Sequence, residues 1–258
     1  ARQPSDRIAV IAIDDQSNAN IGRWPWPRDV HAELIDKLAA ANAKTIAYNT
    51  FFFEPQTDRG LAFIRRIKQA LAPGQNNEAM AKLLAEAERD LDADGKLAAS
   101  MGRAGNVLVP SVFVLGEPVG RADRDLPVDV AKNTVDEPNA FALPVRRGQY
   151  PMEALARAAA GSGHLNVTND PDGAVRAAPL LVDYFGRGVP WMALLPAAKS
   201  LNLGPSDIRT LPGEGVQLGR LRVRTDEAAR ILPQFYRARG GKPAFAVDSF
   251  YDGLSGKI

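Results

Sequence analysis

The apolar positions along the chain fall into short blocks whose spacing switches between the period of strands and that of helices. Arg7 to Ile13 (RIAVIAI) is rich in β-branched residues and reads as a strand buried on both faces, as in a parallel sheet. Asp14-Asp15-Gln16-Ser17 ends it. Gly22-Arg23-Trp24-Pro25-Trp26-Pro27 reads as a loop, because closely spaced prolines leave no regular backbone. Pro27 suits the first turn of a helix, and Val30, Leu34, Ile35 and Leu38 then follow helical spacing up to Ala41, with Asn42 as the stop. Thr45 to Tyr48 begins a second strand. Strand, helix and strand in succession make a βαβ unit, right-handed by rule.

Leu61 to Leu71 reads as a helix closed by Pro73-Gly74. Glu78 to Leu91 is another, with Met80, Leu83, Leu84, Ala87 and Leu91 on one stripe. Asp92 to Gly95 breaks it before a short helix from Lys96 to Met101. Val107 to Leu115 is a third strand. Residues 116–149, rich in proline and charge, read as a long, partly irregular surface segment. Beyond them come a helix at 153–160, a strand at 164–167, a turn at 169–173, a strand at 178–184 and a helix at 191–203. Two late strands, 216–223 and 231–236, could form a hairpin. No repeat of fixed period is present. The order predicts an α/β fold: a single domain over 1–258 with a mixed, largely parallel sheet flanked by helices, more β-rich in its C-terminal half, and a helical excursion at 57–103.

Composition narrows the function classes. The 258 residues are 45% hydrophobic and 24% charged, as in ordinary globular proteins, and suffice for a sizeable core. A net charge of +2, with no Lys/Arg stripe interleaved with aromatics, argues against nucleic-acid binding. The absence of cysteine excludes thiolate metal sites, disulfides and cysteine nucleophiles. No run approaches the ~20 apolar residues that span a bilayer, and no signal peptide is visible. Both ends nevertheless read as cut from a longer protein: the chain opens in a polar lead, Arg2 to Arg7, and stops at Gly256-Lys257-Ile258, where an apolar run begins.

Several residues could carry chemistry. Asp14 and Asp15 close the first strand, at the edge where open parallel sheets bind ligands. With Asn49 after the second strand and Glu54 beyond it, they could surround a cation or an amine; alternatively they cap the loop and pair with Arg23 or Arg28. Trp24 and Trp26 could wall a pocket, meet a partner subunit, or pin the loop to the core. Arg23 and Arg28 could clamp an anion, or pair with Asp14, Asp15 or Asp29. His31 and His164 lie in no catalytic context and read as structural. Asp170 and Asp172 fail the calcium-loop pattern, since Thr168 and Pro179 stand where ligands are required, and they mark a tight turn instead. Gly161-Ser162-Gly163-His164 has a phosphate-loop look but precedes a strand rather than a helix. No catalytic, metal or cofactor site emerges.

The motifs in their order resemble a known family. Residues 12–55 (AIDDQSNANIGRWPWPRDVHAELIDKLAAANAKTIAYNTFFFEP) are similar to the opening of the type-2 CHASE domain, an extracytoplasmic sensing domain associated with bacterial cyclases and histidine kinases, and Gly22 to Arg28 (GRWPWPR) is the most specific string. Residues 163–182 resemble its second signature, 189–204 its following helix, and 249–258 the segment before its last strand. The chain departs from the family at Asn49 and Gln56, where acids are usual, and in the length of Leu61 to Met101. The resemblance implies a sensor on the periplasmic side of the inner membrane. It implies one transmembrane helix before the domain, several after it and a final strand beyond Ile258, then a cytoplasmic adenylate or guanylate cyclase, diguanylate cyclase or kinase. It also implies a homodimer and an unknown small-molecule ligand; read from their own positions, Asp14, Asp15, Arg23, Trp24, Trp26, Arg28, Asn49 and Glu54 are the candidate ligand-binding set. A ligand-free structural or dimerisation adaptor, or a small-molecule enzyme using Asp14 and Asp15, are the competing expectations.

Overall fold

The computed structural model describes residues 3–258 except 57, 72–77, 118, 121–124, 137–141 and 239. The expected Pro73-Gly74 stop lies outside the described residues. The chain opens with β1 (Ala9–Ala12) and turns into α1 (Asp15–Ile21), whose N-terminus is capped by the Asp14 carboxylate accepting the Ser17 N–H. A loop with a cis Trp24–Pro25 peptide leads into α2 (Arg28–Ala40), which buries His31, Ala32, Leu34 and Ile35. After β2 (Ile46–Ala47) come three helices: α3 (Arg59–Ala70), α4 (Glu78–Leu91) and α5 (Ala93–Ala104). Asp92 breaks α4 as expected, but its carboxylate accepts the Gly95 N–H and so starts α5 at once. Gly105, in the left-handed region at φ 64°, ends α5 before β3 (Val107–Leu115).

The second half holds α6 (Val128–Ala131), β4 (Val135–Asp136), β5 (Leu143–Gln149), α7 (Glu153–Ala158), β6 (Gly161–His164), β7 (Ala178–Pro179), β8 (Leu181–Tyr184) and β9 (Arg187–Pro190). It ends with α8 (Leu194–Ser200), β10 (Ile208–Leu211), β11 (Gly215–Leu218), β12 (Leu221–Arg224), β13 (Arg230–Ile231), β14 (Ala246–Ser249) and α9 (Phe250–Ser255).

The main sheet is mixed. β3 pairs in parallel with β2 and β6 and antiparallel with β5; β5 runs parallel to β8, and β8-β9-β4 continue antiparallel. Helices α2, α5 and α7 cover the parallel part over one apolar cluster that includes Leu34, Ile35, Leu97, Met101, Val107, Val109 and Leu155. A second cluster, with Leu108, Met192, Leu195 and Val216, lies under α8 and the β10-β11-β12 meander; a third, with Phe113, Val130, Val145 and Val182, joins α6 to β5, β8 and β9.

Four strand expectations are corrected. β1 pairs in parallel with β14 and not with β2, so it is not buried on both faces: Val10 is 43% exposed. The apolar run signals a strand, but not how many neighbours cover it. β5 and the short β4 lie inside the stretch expected to be irregular; Pro144, Arg146 and Arg147 hide β5 from an apolar-pattern reading. The strand expected at 164–167 is β6, at 161–164, built on glycine and serine because the chain packs closely there. The late hairpin is β11–β12, while β13 pairs antiparallel with β7. None of the described helices is long and apolar enough to cross a membrane.

Candidate functional site

The first turn of α2 brings the chemistry together. His31 lies one turn after Arg28, points inward, and is 1% exposed. Aromatic rings enclose it: Trp24 at 5.5 Å between centroids, Trp26 at 6.2 Å, Tyr48 at 5.8 Å, Phe52 at 5.2 Å and Phe250 at 5.8 Å. Its Nδ1 is hydrogen-bonded to the Tyr48 hydroxyl at 2.6 Å. Burial, and then the charge of Arg28, hold the imidazole neutral and lower its pKa to about 4, against the raising effects of a backbone hydrogen bond at Trp26 and of Asp29. Burial alone pushes the Tyr48 hydroxyl well above its ordinary range. Trp26 donates its indole N–H to the Gly22 carbonyl at 2.7 Å and is 3% exposed, so this ring is part of the core.

Arg28 closes the cluster on one side. Its guanidinium sits 4.4 Å over the Phe52 ring and donates to the Glu54 carbonyl at 3.2 Å. Its Nε lies 3.3 Å from Asp94 Oδ1, with both side chains largely buried. Gln56 ties the pair together: its Oε1 accepts the Arg28 backbone N–H at 2.9 Å, and its own N–H donates to Asp94 Oδ2 at 2.7 Å. Since Pro27 gives α2 no side-chain cap, Gln56 supplies the acceptor the first turn needs.

Asp14 closes the other side. Its Oδ1 accepts from Ser17 N–H at 2.9 Å, Ser17 Oγ at 2.6 Å and Ser249 Oγ at 2.8 Å, and these bonds hold the carboxyl below its ordinary pKa, Ser17 contributing most. Ser17 Oγ in turn accepts the Tyr251 N–H at 3.1 Å. The residue after Ser249 is Phe250, whose ring lies 4.8 Å from Trp26. The beginning of α1, the start of α2 and the start of α9 are thus one packed unit.

Of the residues singled out from sequence, Trp24, Trp26 and Arg28 meet around His31, Glu54 joins through its backbone carbonyl, and Asp14 joins through Ser249. The side chains of Asp15, Arg23, Asn49 and Glu54 are exposed. No hydrogen bond or ion pair described draws Asp15, Arg23 or Asn49 into the cluster. Arg28 does not pair with Asp14, Asp15 or Asp29; its partner is Asp94, far along the chain in a stretch that reads only as a helix break. Sequence reasoning also missed Tyr48, Phe52, Ser249 and Phe250, and marked Gln56 only as a departure from the family's usual acid. The aromatic run Phe51-Phe52-Phe53 after β2 was the one signal that could have found Phe52. Among the described residues no three His, Asp or Glu side chains converge as metal ligands. His31 is sealed among rings with its Nδ1 on the buried Tyr48 hydroxyl, an arrangement that suits packing.

A family model described as the CHASE2 domain matches residues 1–256. No curated protein and no solved structure matches the chain. The chain belongs to the CHASE2 family, whose members are extracellular, non-catalytic sensory domains of receptors.

Proposed function

We propose that this CHASE2 domain is the extracytoplasmic sensor of a bacterial transmembrane signalling receptor, binding a small ligand in the periplasm and relaying it to a cytoplasmic adenylate or guanylate cyclase, diguanylate cyclase or protein kinase. The observation that carries the reading is the family match over 1–256. On this reading membrane helices flank the domain, the receptor works as a homodimer, and the ligand meets the surface formed by Asp14, Asp15, Arg23, Trp24, Arg28, Asn49 and Glu54, with Trp26 behind it in the core. A ligand signals only by its differential affinity for two arrangements. The contacts of Trp26 and His31 with Phe250, and of Asp14 and Ser17 with Ser249 and Tyr251, support a route by which a shift of the Trp24–Trp26 loop reaches α9.

A second reading, a ligand-free structural or dimerisation adaptor, draws on one observation. Trp26, His31 and Phe52 are each at most 3% exposed, so the cluster is filled by its own side chains. A thermal-shift screen of the domain with amino acids, polyamines, dicarboxylates and nucleosides separates the two. At about 100 times its Kd a ligand adds ~2.7 kcal/mol, which is ~5–10 °C for a domain of this size. The sensor reading predicts such a shift from one of these classes, lost in Trp24→Ala, with the compound recovered unchanged. No shift from any class favours the adaptor, and turnover of the compound contradicts both readings.

A further inference from the structure

A cleft of about 500 Å³, within the size range of ligand pockets, lies where the ends of two helices far apart in the chain come together. Lys44, in the turn from α2 to β2, lines it together with Lys199, Asn202, Leu203 and Gly204 at the end of α8. Both helices stop in the same way, with Asn42 and Asn202 in the left-handed region at φ 59°. After α2, the Asn42 N–H donates to the Ala39 carbonyl and the Ala43 N–H to the Leu38 carbonyl; after α8, the Asn202 N–H donates to the Lys199 carbonyl and the Leu203 N–H to the Ala198 carbonyl. These bonds satisfy carbonyls that a lysine at a helix end would otherwise serve. The turn at Gly219 presses on the same wall, since a Cβ there would lie 2.6 Å from Leu203 Cδ1, and the exposed Arg220 follows it directly.

We propose that this cleft binds a small molecule carrying a phosphate or carboxylate group, at a site separate from the Trp24 surface and independent of the sensory reading. The lining is made of donors. Each lysine ammonium donates and never accepts, and the Asn202 amide adds further N–H donors. No lining residue is acidic, and among the described residues neither lysine side chain has an ion pair or a hydrogen bond. Lys199 is half-buried, so its charge is partly stripped of water and gains from an anion beside it. Two opposing features are weaker. Each helix end carries at most about half a negative charge, against a full positive charge on each lysine. Asp207, next to the cleft, has its Oδ2 on the Gly204 N–H at 2.8 Å, and Arg220 offsets its charge. An ammonium is a point charge rather than a planar fork, so the site reads charge more than shape and suits phosphate and carboxylate alike.

Isothermal titration calorimetry of the chain with inorganic phosphate and with succinate, in a buffer low in chloride, tests this. The expected result is a saturable isotherm in the millimolar range for at least one of the two, as fits a few charge-assisted contacts at an open site. Lys44→Gln and Lys199→Gln should each weaken that binding by about tenfold, the loss of one hydrogen bond to a charged group. Lys44→Arg and Lys199→Arg should retain it, and the melting temperature of all four variants should match the parent. Trp24→Ala should leave the isotherm intact, so a ligand screen that fails at the Trp24 surface leaves this site standing, and the reverse. No saturable binding of either probe, binding indifferent to both lysine substitutions, or binding lost in Trp24→Ala would overturn the proposal. So would phosphatidylglycerol vesicles that bind through the two lysines while neither free anion does.

Discussion

His31 and His164, the chain's two histidines, are buried and uncharged for different local reasons. His31 sits in the aromatic enclosure beside Arg28. His164 ends β6, where its Nδ1 accepts the Asn166 N–H at 3.2 Å, its buried Nε2 has no hydrogen-bond partner among the described residues, and desolvation lowers its pKa to about 3. Both folded pKa values lie below the ordinary 6.5, so the unfolded chain takes up protons that the folded chain refuses. Their contribution is complete above about pH 6.5 and is lost as pH falls toward about 4 for His31 and about 3 for His164. The loss is at most ~1.4 kcal/mol per pH unit for each ring. Urea denaturation at pH 7.5, 6 and 5 should show the midpoint falling with acid, with about half the slope in His31→Phe; a midpoint flat over that range would contradict the burial. The sequence marked both histidines as structural from their lack of catalytic context, and marked Trp24, Trp26 and Arg28 as a group. It could not place Asp94 beside Arg28, because a contact between α2 and α5 leaves no local pattern. Gln56, a departure from the family's usual acid, has a local logic: a neutral acceptor caps α2 without adding a second anion beside Asp94.

Elements with strong periodicity were legible. α2, α3, α4 and β3 lie within a residue or two of where their apolar spacing predicts them, whereas β5, β6, β9 and β14 were missed or misplaced, being built largely from glycine, proline, small residues and charge. The Gly-Ser-Gly-His string shows why. It resembles a phosphate loop on paper, but Gly161 and Gly163 are small because other chain segments press on β6. A Cβ at Gly163 would lie 2.9 Å from Met192 Cα and 3.0 Å from the Pro190 carbonyl oxygen, backbone atoms that cannot swing aside. Gly163→Ala should therefore cost ~1–3 kcal/mol and lower the melting temperature by several degrees. Gly102→Ala in α5, where a Cβ meets nothing within 4 Å, should raise it, since alanine favours a helix over glycine by ~1 kcal/mol. Equal effects of the two substitutions would contradict the close packing at β6.

At the scale of the molecule, β1 and β14 join the two ends of the chain in one parallel ladder, Ala9 to Ala246 through Ala12 to Ser249, beside the cluster around His31. The Trp24–Trp26 loop, α1 and α9 are therefore held together as one packed unit. This connectivity was invisible in the pattern, which ended the first strand in a βαβ unit and gave no sign of β14; the family's order of motifs, by contrast, was legible from residue 12 onward. On the proposed reading, the packed unit is where a shift at the Trp24–Trp26 loop would reach both the first and the last strand. The measurement that tests this most directly is the reading frame on either side of the 258 residues. The account predicts an apolar segment of ~20 residues upstream, and further such segments downstream leading to a cyclase or kinase domain. A frame that ends near Ile258 with no membrane-spanning segment on either side would contradict it.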